Sequence, residues 1–580
     1  TPAYDIFKIY RKRIQQRINY AMQLLEMEHD FSVDEYFMLE HREWANSIKE
    51  LDETWRKRVK HDILNQRLTK EKPDKIIETL KKRYQRLLDS TYQLNRNDIY
   101  QIFINAYTTA IEPHTAYLSP RHSENFDISM RLSLEGIGAV LRSESDYTQI
   151  QRIIPGGPAD LSQELKAGDR IVGVGQNIDG EIVDVVGWRL ENVVDLIRGP
   201  KGTNLRLEIL PNENGIDGPS KLISLKRDEI KLEESAAKSN IIELPESDNR
   251  IGVIELESFY VNFEASANGE KDYRSTTRDI RKLLKQLEQE NIAGLIIDLR
   301  GNGGGALNEA LTLTGLFISE GPIVQTKNAN GQIEINKDPD PDIVYAGPLA
   351  ILVDGNSASA SEIFAGAIQD YKRGVIIGEP TFGKGTVQNI VDLNQFTNNK
   401  DKKLGRLKTT MAQFFRISGG SNQHKGVVPD IIMPTAFDSD KHGERSYDNA
   451  LPWDQVKPAD FVPVHTTIEQ FANAKKLHKE RIKTDKVFKL LQEELALIKQ
   501  ASEKKTVSLM ETKRAEQREQ LITTQNRLKN EFRIAQGLPP IEEGDEEEKL
   551  ENNEEPIESD IILEETAKIL NDLIVPINQD

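Results

Sequence analysis

Apolar positions recur at helical spacing at both ends of this chain and collect into short, strand-length runs through its middle. An amphipathic run extends from Asp5 to Leu25 and a second occupies Val33 to Leu68. A third opens at Pro73, a residue suited to a first helical turn, and reaches Asp89, and a fourth spans Asn97 to Ile111. Trp44, Trp55 and the spaced leucines and isoleucines read as packing. Glu112-Pro-His-Thr-Ala-Tyr-Leu118 follows as an extended exit, in which His114 reads as structural, so a helical region is expected over residues 1–131. From 132 to 228 short strands alternate with glycine- and proline-bearing turns, with one helix over Trp188–Ile197.

From 229 to 435 the pattern is that of an α/β body. Arg250–Phe259 reads as a strand, and Tyr273–Glu290 as a helix with Ile280, Leu283, Leu284 and Leu287 on one side. Three predominantly apolar runs, Ala293–Leu299, Leu349–Val353 and Gly374–Gly378, read as buried strands, and Leu407–Arg416 alternates like an edge strand. Asn398–Lys403 is a polar, solvated insertion. Residues 436–580 form a further helical region: a linker at Pro452–Pro463, a long charged helical stretch from Thr467 to Gln536 stopped by Gly537-Leu-Pro-Pro540, and a helical pattern over Asp560–Leu573. Phe471, Leu477, Phe488, Leu491, Leu495 and Ile498 give the long stretch an apolar face.

The three buried strands each end in a loop bearing reactive side chains. The first delivers Gly301-Asn-Gly-Gly-Gly305, the second Ser357-Ala-Ser-Ala-Ser-Glu362 and a helix to about Tyr371, and the third Glu379-Pro-Thr-Phe-Gly-Lys-Gly385. Such exits converge at one edge of an open α/β sheet. They would bring together a hydroxyl, a lysine, a carboxylate and bare glycine N–H groups. None of the nine histidines falls in this stretch. A serine here therefore needs a desolvated lysine as its base, with a pKa lowered by burial from its ordinary value of about 10.4. If Ser359 ends a strand-to-helix turn, the Ala360 N–H points outward at the helix's positive end and, with an N–H of Gly304 or Gly305, makes an oxyanion hole. Two plainer readings compete. Ser359 and Glu362 fit a capping box. Gly378 to Lys384 has phosphate-loop spacing, but Gly385 stands where a magnesium-binding hydroxyl is required, which argues against a nucleotide. Spacing alone does not choose Ser359 over Ser357 and Ser361.

Ser-Ala-Ser-Ala-Ser-Glu-Ile-Phe364, followed by Gly378-Glu-Pro-Thr-Phe-Gly-Lys-Gly-Thr-Val-Gln388, resembles the active-site region of the carboxy-terminal processing proteases, nearest to their bacterial tail-specific branch. The resemblance implies Ser359 as nucleophile, Lys384 as general base, Gln388 as the residue that orients the lysine, and Gly305 and Ala360 as oxyanion donors. It implies supporting roles for Glu362 and Asp370, and a crotonase-like body over 229–435. Leu134-Glu-Gly-Ile-Gly-Ala-Val140, Ile153-Ile-Pro-Gly-Gly-Pro-Ala159 and Leu165-Lys-Ala-Gly-Asp-Arg-Ile-Val172 resemble a PDZ domain, with Gly136, Ile137, Gly138, Ala139 and Val193 implied in substrate binding. The implied activity is that of a serine endopeptidase that grips free, apolar C-terminal tails of protein substrates and needs no cofactor or metal. A periplasmic setting and a helper protein that presents substrates are further implications. The alternative from another class is a catalytically silent PDZ scaffold.

Composition narrows the rest. At 580 residues the chain needs several cores. The net charge is −18, but Ile541–Glu565 holds 13 acids against one lysine, −12 of that total, so the acidic run from Glu542 to Glu555 reads as disordered. The remainder is near balance, which speaks against a nucleic-acid footprint or a polybasic membrane patch. No apolar run has the length of a membrane span. The absence of cysteine excludes disulfides and a thiolate nucleophile. A start at Thr1 without methionine points to removal of an upstream segment.

Overall fold

The computed structural model describes residues 2–574 apart from 41–42, 246, 339, 400–402, 465–467 and 542–559. The acidic run Glu542–Glu555 and part of the insertion at 398–403 therefore lie outside the described residues. The chain forms two compact units. One comprises Thr1–Ser119, Ala237–Phe259 and Ile280–Asp580, and the other Pro120–Ala236 with Tyr260–Asp279.

The larger unit is built on a six-stranded sheet in the order Lys238–Glu243, Arg250–Glu255, Gly294–Asp298, Leu349–Val353, Val375–Gly378, Ile431–Ile432. The first pair is antiparallel and the rest are parallel. The three apolar runs are its centre, and every residue of all three strands is buried, as expected where both faces of a parallel sheet are covered. On one face Ile296, Leu352 and Ile377 pack with Ala474, Phe488, Ala567, Ile569 and Leu570 from the C-terminal helices. Gly294 marks the closest approach, since a Cβ there would lie 2.9 Å from Leu570 Cδ2. The helix Ala360–Asp370 is fixed elsewhere by ring contacts of Phe364 with Phe259 and Phe317.

A second, antiparallel sheet runs Ile333–Asp338, Gly321–Asn328, Arg406–Phe415, Thr386–Asp392, and Ala116–Leu118 adds to Arg406–Phe415. Arg406–Phe415 is thus an interior strand and not the edge its alternation suggests. Alternation reports one polar face, and both ladders of this strand are nonetheless filled.

The terminal regions depart from the periodicity in places. The second helix starts only at Ile48, where the Ser47 hydroxyl accepts from the Glu50 N–H at 3.2 Å. The preceding Tyr36–Met38 is instead a strand paired with Thr506–Ser508. That same strand, with a cap at Asp485, divides the long charged stretch into Ile468–Thr484, Lys486–Ser502 and Glu511–Ala535. Trp55 is core, but Trp44 is 94% exposed.

The smaller unit is a sheet in the order Ala139–Glu144, Tyr147–Ile153, Arg170–Gln176, Asn204–Leu210, Lys221–Lys226, with the helix Leu190–Ile197. Ala139–Glu144 ends the sheet, so one of its backbone edges is open.

Docking of the last helix completes the larger core, so Leu570→Ala is expected to cost about 2–5 kcal/mol. Thermal unfolding should show a Tm lowered by several degrees, and an unchanged Tm would mean that this helix is dispensable to the core.

Candidate active site

The parallel strands end side by side, and their loops meet as the sequence predicts. Ser359 lies at the turn into the helix Ala360–Asp370 with φ +57° and ψ −110°, a conformation side-chain-bearing residues rarely adopt and that costs roughly 1–3 kcal/mol. The turn is held from both sides: the Ser359 N–H donates to Glu362 Oε2 at 2.8 Å, and its carbonyl accepts from the Ile363 N–H at 3.0 Å. The neighbouring serines are spent on the fold. Ser357 Oγ donates to the Leu299 carbonyl at 2.7 Å and Ser361 Oγ to that of Asn302 at 2.9 Å, and both residues are fully buried. Ser359 keeps partial exposure. Of these three serines Ser359 is the one that is not fully buried, and it also sits in the capping box with Glu362 that the sequence offers.

The glycine loop abuts this turn. A Cβ on Gly304, at φ +101°, would stand 2.9 Å from Ser359 Cβ and 3.1 Å from the Ala360 nitrogen, so only glycine fits. The Gly304 N–H is taken by Asn302 Oδ1 at 2.9 Å. Asn302 also accepts at its carbonyl from the Ala358 N–H at 3.0 Å, tying the two loops together. Of the two glycine N–H groups offered by the sequence, that of Gly305 is the one left over. It and the Ala360 N–H have no acceptor among the described residues.

Lys384 Nζ donates to Gln388 Oε1 at 2.6 Å, and Gln388 Nε2 donates to Thr386 Oγ1 at 2.9 Å and Thr410 Oγ1 at 3.1 Å. Desolvation, reinforced by the nearby Lys408 cation, lowers the Lys384 pKa to about 8. The amine makes no hydrogen bond to the Ser359 hydroxyl among the described residues; its bond is to Gln388.

Glu362 sits between the two loops with no solvent exposure. Its Oε1 accepts from Thr381 Oγ1 at 2.6 Å and the Gly383 N–H at 2.8 Å, and its Oε2 from the N–H groups of Ser359 at 2.8 Å and Lys384 at 3.0 Å. Burial pushes its carboxyl up to about 7 against the pull of these four donors. One side chain thereby fixes the backbones that carry both reactive groups. Asp370, at the far end of the helix, pairs with Arg416 at 2.5 Å and accepts from Ser418 Oγ at 3.2 Å; it anchors the helix to the second sheet and does not touch Ser359 or Lys384. His114 Nε2 donates to Glu444 Oε2 at 2.8 Å, and its ring does not bond Ser359 or Lys384 among the described residues.

In the smaller unit Gly136 ends a strand, and Gly138 takes φ +77°. The N–H groups of Ile137 and Gly138 have no acceptor among the described residues, and Ala139 opens the free-edged strand. Val193 is fully buried in the core with Ile150, Ile171 and Leu205, and Val194 beside it is half-buried. Asn302, Thr381 and Thr410 were missed in the sequence reading. Their only sequence signal is a polar residue placed in or beside a glycine-rich turn or on an alternating strand.

The family model described as peptidase family S41 matches residues 250–433. Models described as the tail specific protease N-terminal domain, a PDZ domain and the C-terminal domain of tail specific protease match 1–121, 126–210 and 437–575. The chain is 42% identical over 513 residues to a tail-specific protease of Haemophilus influenzae, covering 87% of this chain and 71% of that one. It is 32% identical over 331 residues to a carboxy-terminal-processing protease of Bartonella bacilliformis, covering 57% and 68%. Among solved structures, the PDZ domain of a carboxy-terminal protease from Vibrio cholerae in complex with peptide is 54% identical, covering 17% of this chain and 100% of that one, with a TM-score of 0.17.

Glu362→Gln would set an amide NH2 against two backbone or hydroxyl donors. With a buried donor left unpaired at about 1–3 kcal/mol each, the variant is expected to melt several degrees lower and to lose activity in its folded fraction. Wild-type melting and activity would show that the carboxylate is not the pin between the loops.

Proposed function

Because the chain belongs to peptidase family S41, we propose that it is a serine endopeptidase working through a Ser359–Lys384 dyad on chains whose free C-termini are held by its PDZ unit. The neutral Lys384 amine accepts the Ser359 hydroxyl proton as Oγ attacks the scissile carbonyl carbon. The resulting oxyanion takes hydrogen bonds from the N–H groups of Gly305 and Ala360, each such donor contributing roughly 3 kcal/mol. The lysinium then returns the proton to the departing amine, which leaves an acyl-serine. Lys384 next deprotonates the water that attacks the acyl carbon and passes that proton to Ser359 Oγ as the acyl group leaves, which restores the free serine and the neutral amine. The lone pair that Gln388 leaves free on the amine turns to Ser359 as substrate engages.

The observation that carries this reading is that Glu362 Oε2 holds the backbone N–H groups of both Ser359 and Lys384, which sets a serine that is not fully buried on a loop tied to that of a lysine whose pKa is drawn down to about 8. The unclaimed N–H groups of Gly305 and Ala360 beside that serine support it. Recognition follows from the smaller unit: N–H groups at Ile137 and Gly138 suit a terminal carboxylate, and the open edge of Ala139–Glu144 suits an added peptide strand. A bacterial periplasmic setting belongs to this reading, supported by the likeness to the Haemophilus influenzae protein. No helix among the described residues is long and apolar enough to cross a membrane.

With an unfolded protein as substrate, Ser359→Ala and Lys384→Ala should each lower kcat by about 10²–10⁴-fold or more while binding of a free-tailed peptide persists. For the wild type, kcat/KM should fall about tenfold per pH unit below pH 8, because acid converts the base to lysinium. Amidating the substrate's C-terminus should raise KM. A fully active Lys384→Ala enzyme, or a rate flat from pH 6 to 9, would refute the dyad, and indifference to amidation would refute tail capture.

A further inference from the structure

The chain of hydrogen bonds behind Lys384 does not stop at Gln388. Thr410 Oγ1, which accepts from Gln388 Nε2, donates to Glu112 Oε2 at 2.9 Å. Glu112 caps the last of the N-terminal helices, 272 residues before the lysine in sequence (384 − 112). It is fixed in turn by the Thr115 hydroxyl at 2.8 Å on the same oxygen and by the His114 N–H at 3.0 Å on Oε1. The Thr410 N–H donates back to Thr115 Oγ1 at 3.3 Å, and Lys408 pairs with Ala116 in the adjoining ladder, so the segment is registered against the strand on which Thr410 sits.

Direction matters along this chain. A carboxylate can only accept, so it claims the single proton of the Thr410 hydroxyl. That hydroxyl is left to accept from its other neighbour, which commits the Gln388 NH2 to it. The Gln388 carbonyl must then face Lys384. An amide turned the other way would present N–H groups to the amine and compete for the lone pair that the proton transfer uses. A second path from the same segment reaches the residue after the lysine: His114 bonds Glu444 at 2.8 Å, Gln423 Nε2 donates to Glu444 Oε1 at 2.8 Å, and the Gly385 N–H donates to Gln423 Oε1 at 2.7 Å.

We propose that Glu112 is a positioning residue for the base: acting through Thr410, it fixes the orientation of the Gln388 amide and so the aim of the Lys384 amine. The proposal rests on the dyad reading above and assigns the exit of the N-terminal helices to the catalytic apparatus.

The test is a double-mutant cycle on the full chain, reading kcat and KM on one peptide substrate, with Lys384→Ala as control. Glu112→Ala is expected to lower kcat by about tenfold or more at little-changed KM, a part of the 10²–10⁴-fold that a general base supplies. In a Gln388→Ala background the same substitution should change kcat by less than about twofold, because its target is already gone. Thr410→Val, which removes only the hydroxyl, should reproduce the loss and carries the test if Glu112→Ala fails to fold. Losses that multiply in the double variant, or wild-type kcat in Thr410→Val, overturn the proposal while leaving the dyad intact. Wild-type kcat in Lys384→Ala would instead overturn the dyad itself.

Discussion

An ammonium group cannot take a proton, and a lysine in water is an ammonium at any ordinary pH. The proposed dyad depends on withdrawing enough water from Lys384 that its amine is neutral for a useful fraction of the time. Burial supplies most of that shift and the Lys408 cation adds to it, while the carboxylates of Glu444, Glu362 and Glu112 oppose it. The pKa of about 8 is the balance of these. A carboxylate in direct contact with the amine would restore its charge. The neutral amide of Gln388 in that place gives the amine a partner without a counter-ion.

The sheet makes this arrangement durable. Parallel strands buried on both faces bring three loops to one edge, but loops alone would leave Ser359 and Lys384 free to drift. Glu362 joins them through four donors from two loops, and Asn302 joins the glycine loop to the Ser359 turn. The strained backbone of Ser359 is tolerated because these bonds over-determine it, and Ser359 is not fully buried while Ser357 and Ser361 are.

Much of this was legible in the chain. Predominantly apolar runs of strand length, each ending in glycine or a charged turn, identified the central sheet because their length and flanking turns favour a doubly covered strand over a buried helix. The absence of histidine from the stretch singles out lysine as the candidate base, and burial lowers the pKa of Lys384 as that reading requires. What the sequence hid was long-range. No local pattern says that Arg406–Phe415 has neighbours on both sides, that Tyr36–Met38 leaves its helix to pair with Thr506–Ser508, or that Val193 faces inward. Thr410 and Glu112 were invisible for the same reason, since a threonine on an alternating strand and a glutamate at a helix end each have an ordinary local explanation. Hydrogen-bond partners 298 residues apart carry no signal in periodicity.

The most direct measurement is the titration of the Lys384 amine itself, by nitrogen NMR on lysine-labelled protein with the signal assigned by its loss in Lys384→Arg. The account predicts a midpoint near pH 8, well separated from the other lysines. A Lys384 amine that titrates with the bulk near 10.4 would contradict it, because such a group is charged throughout the working range and cannot serve as the base.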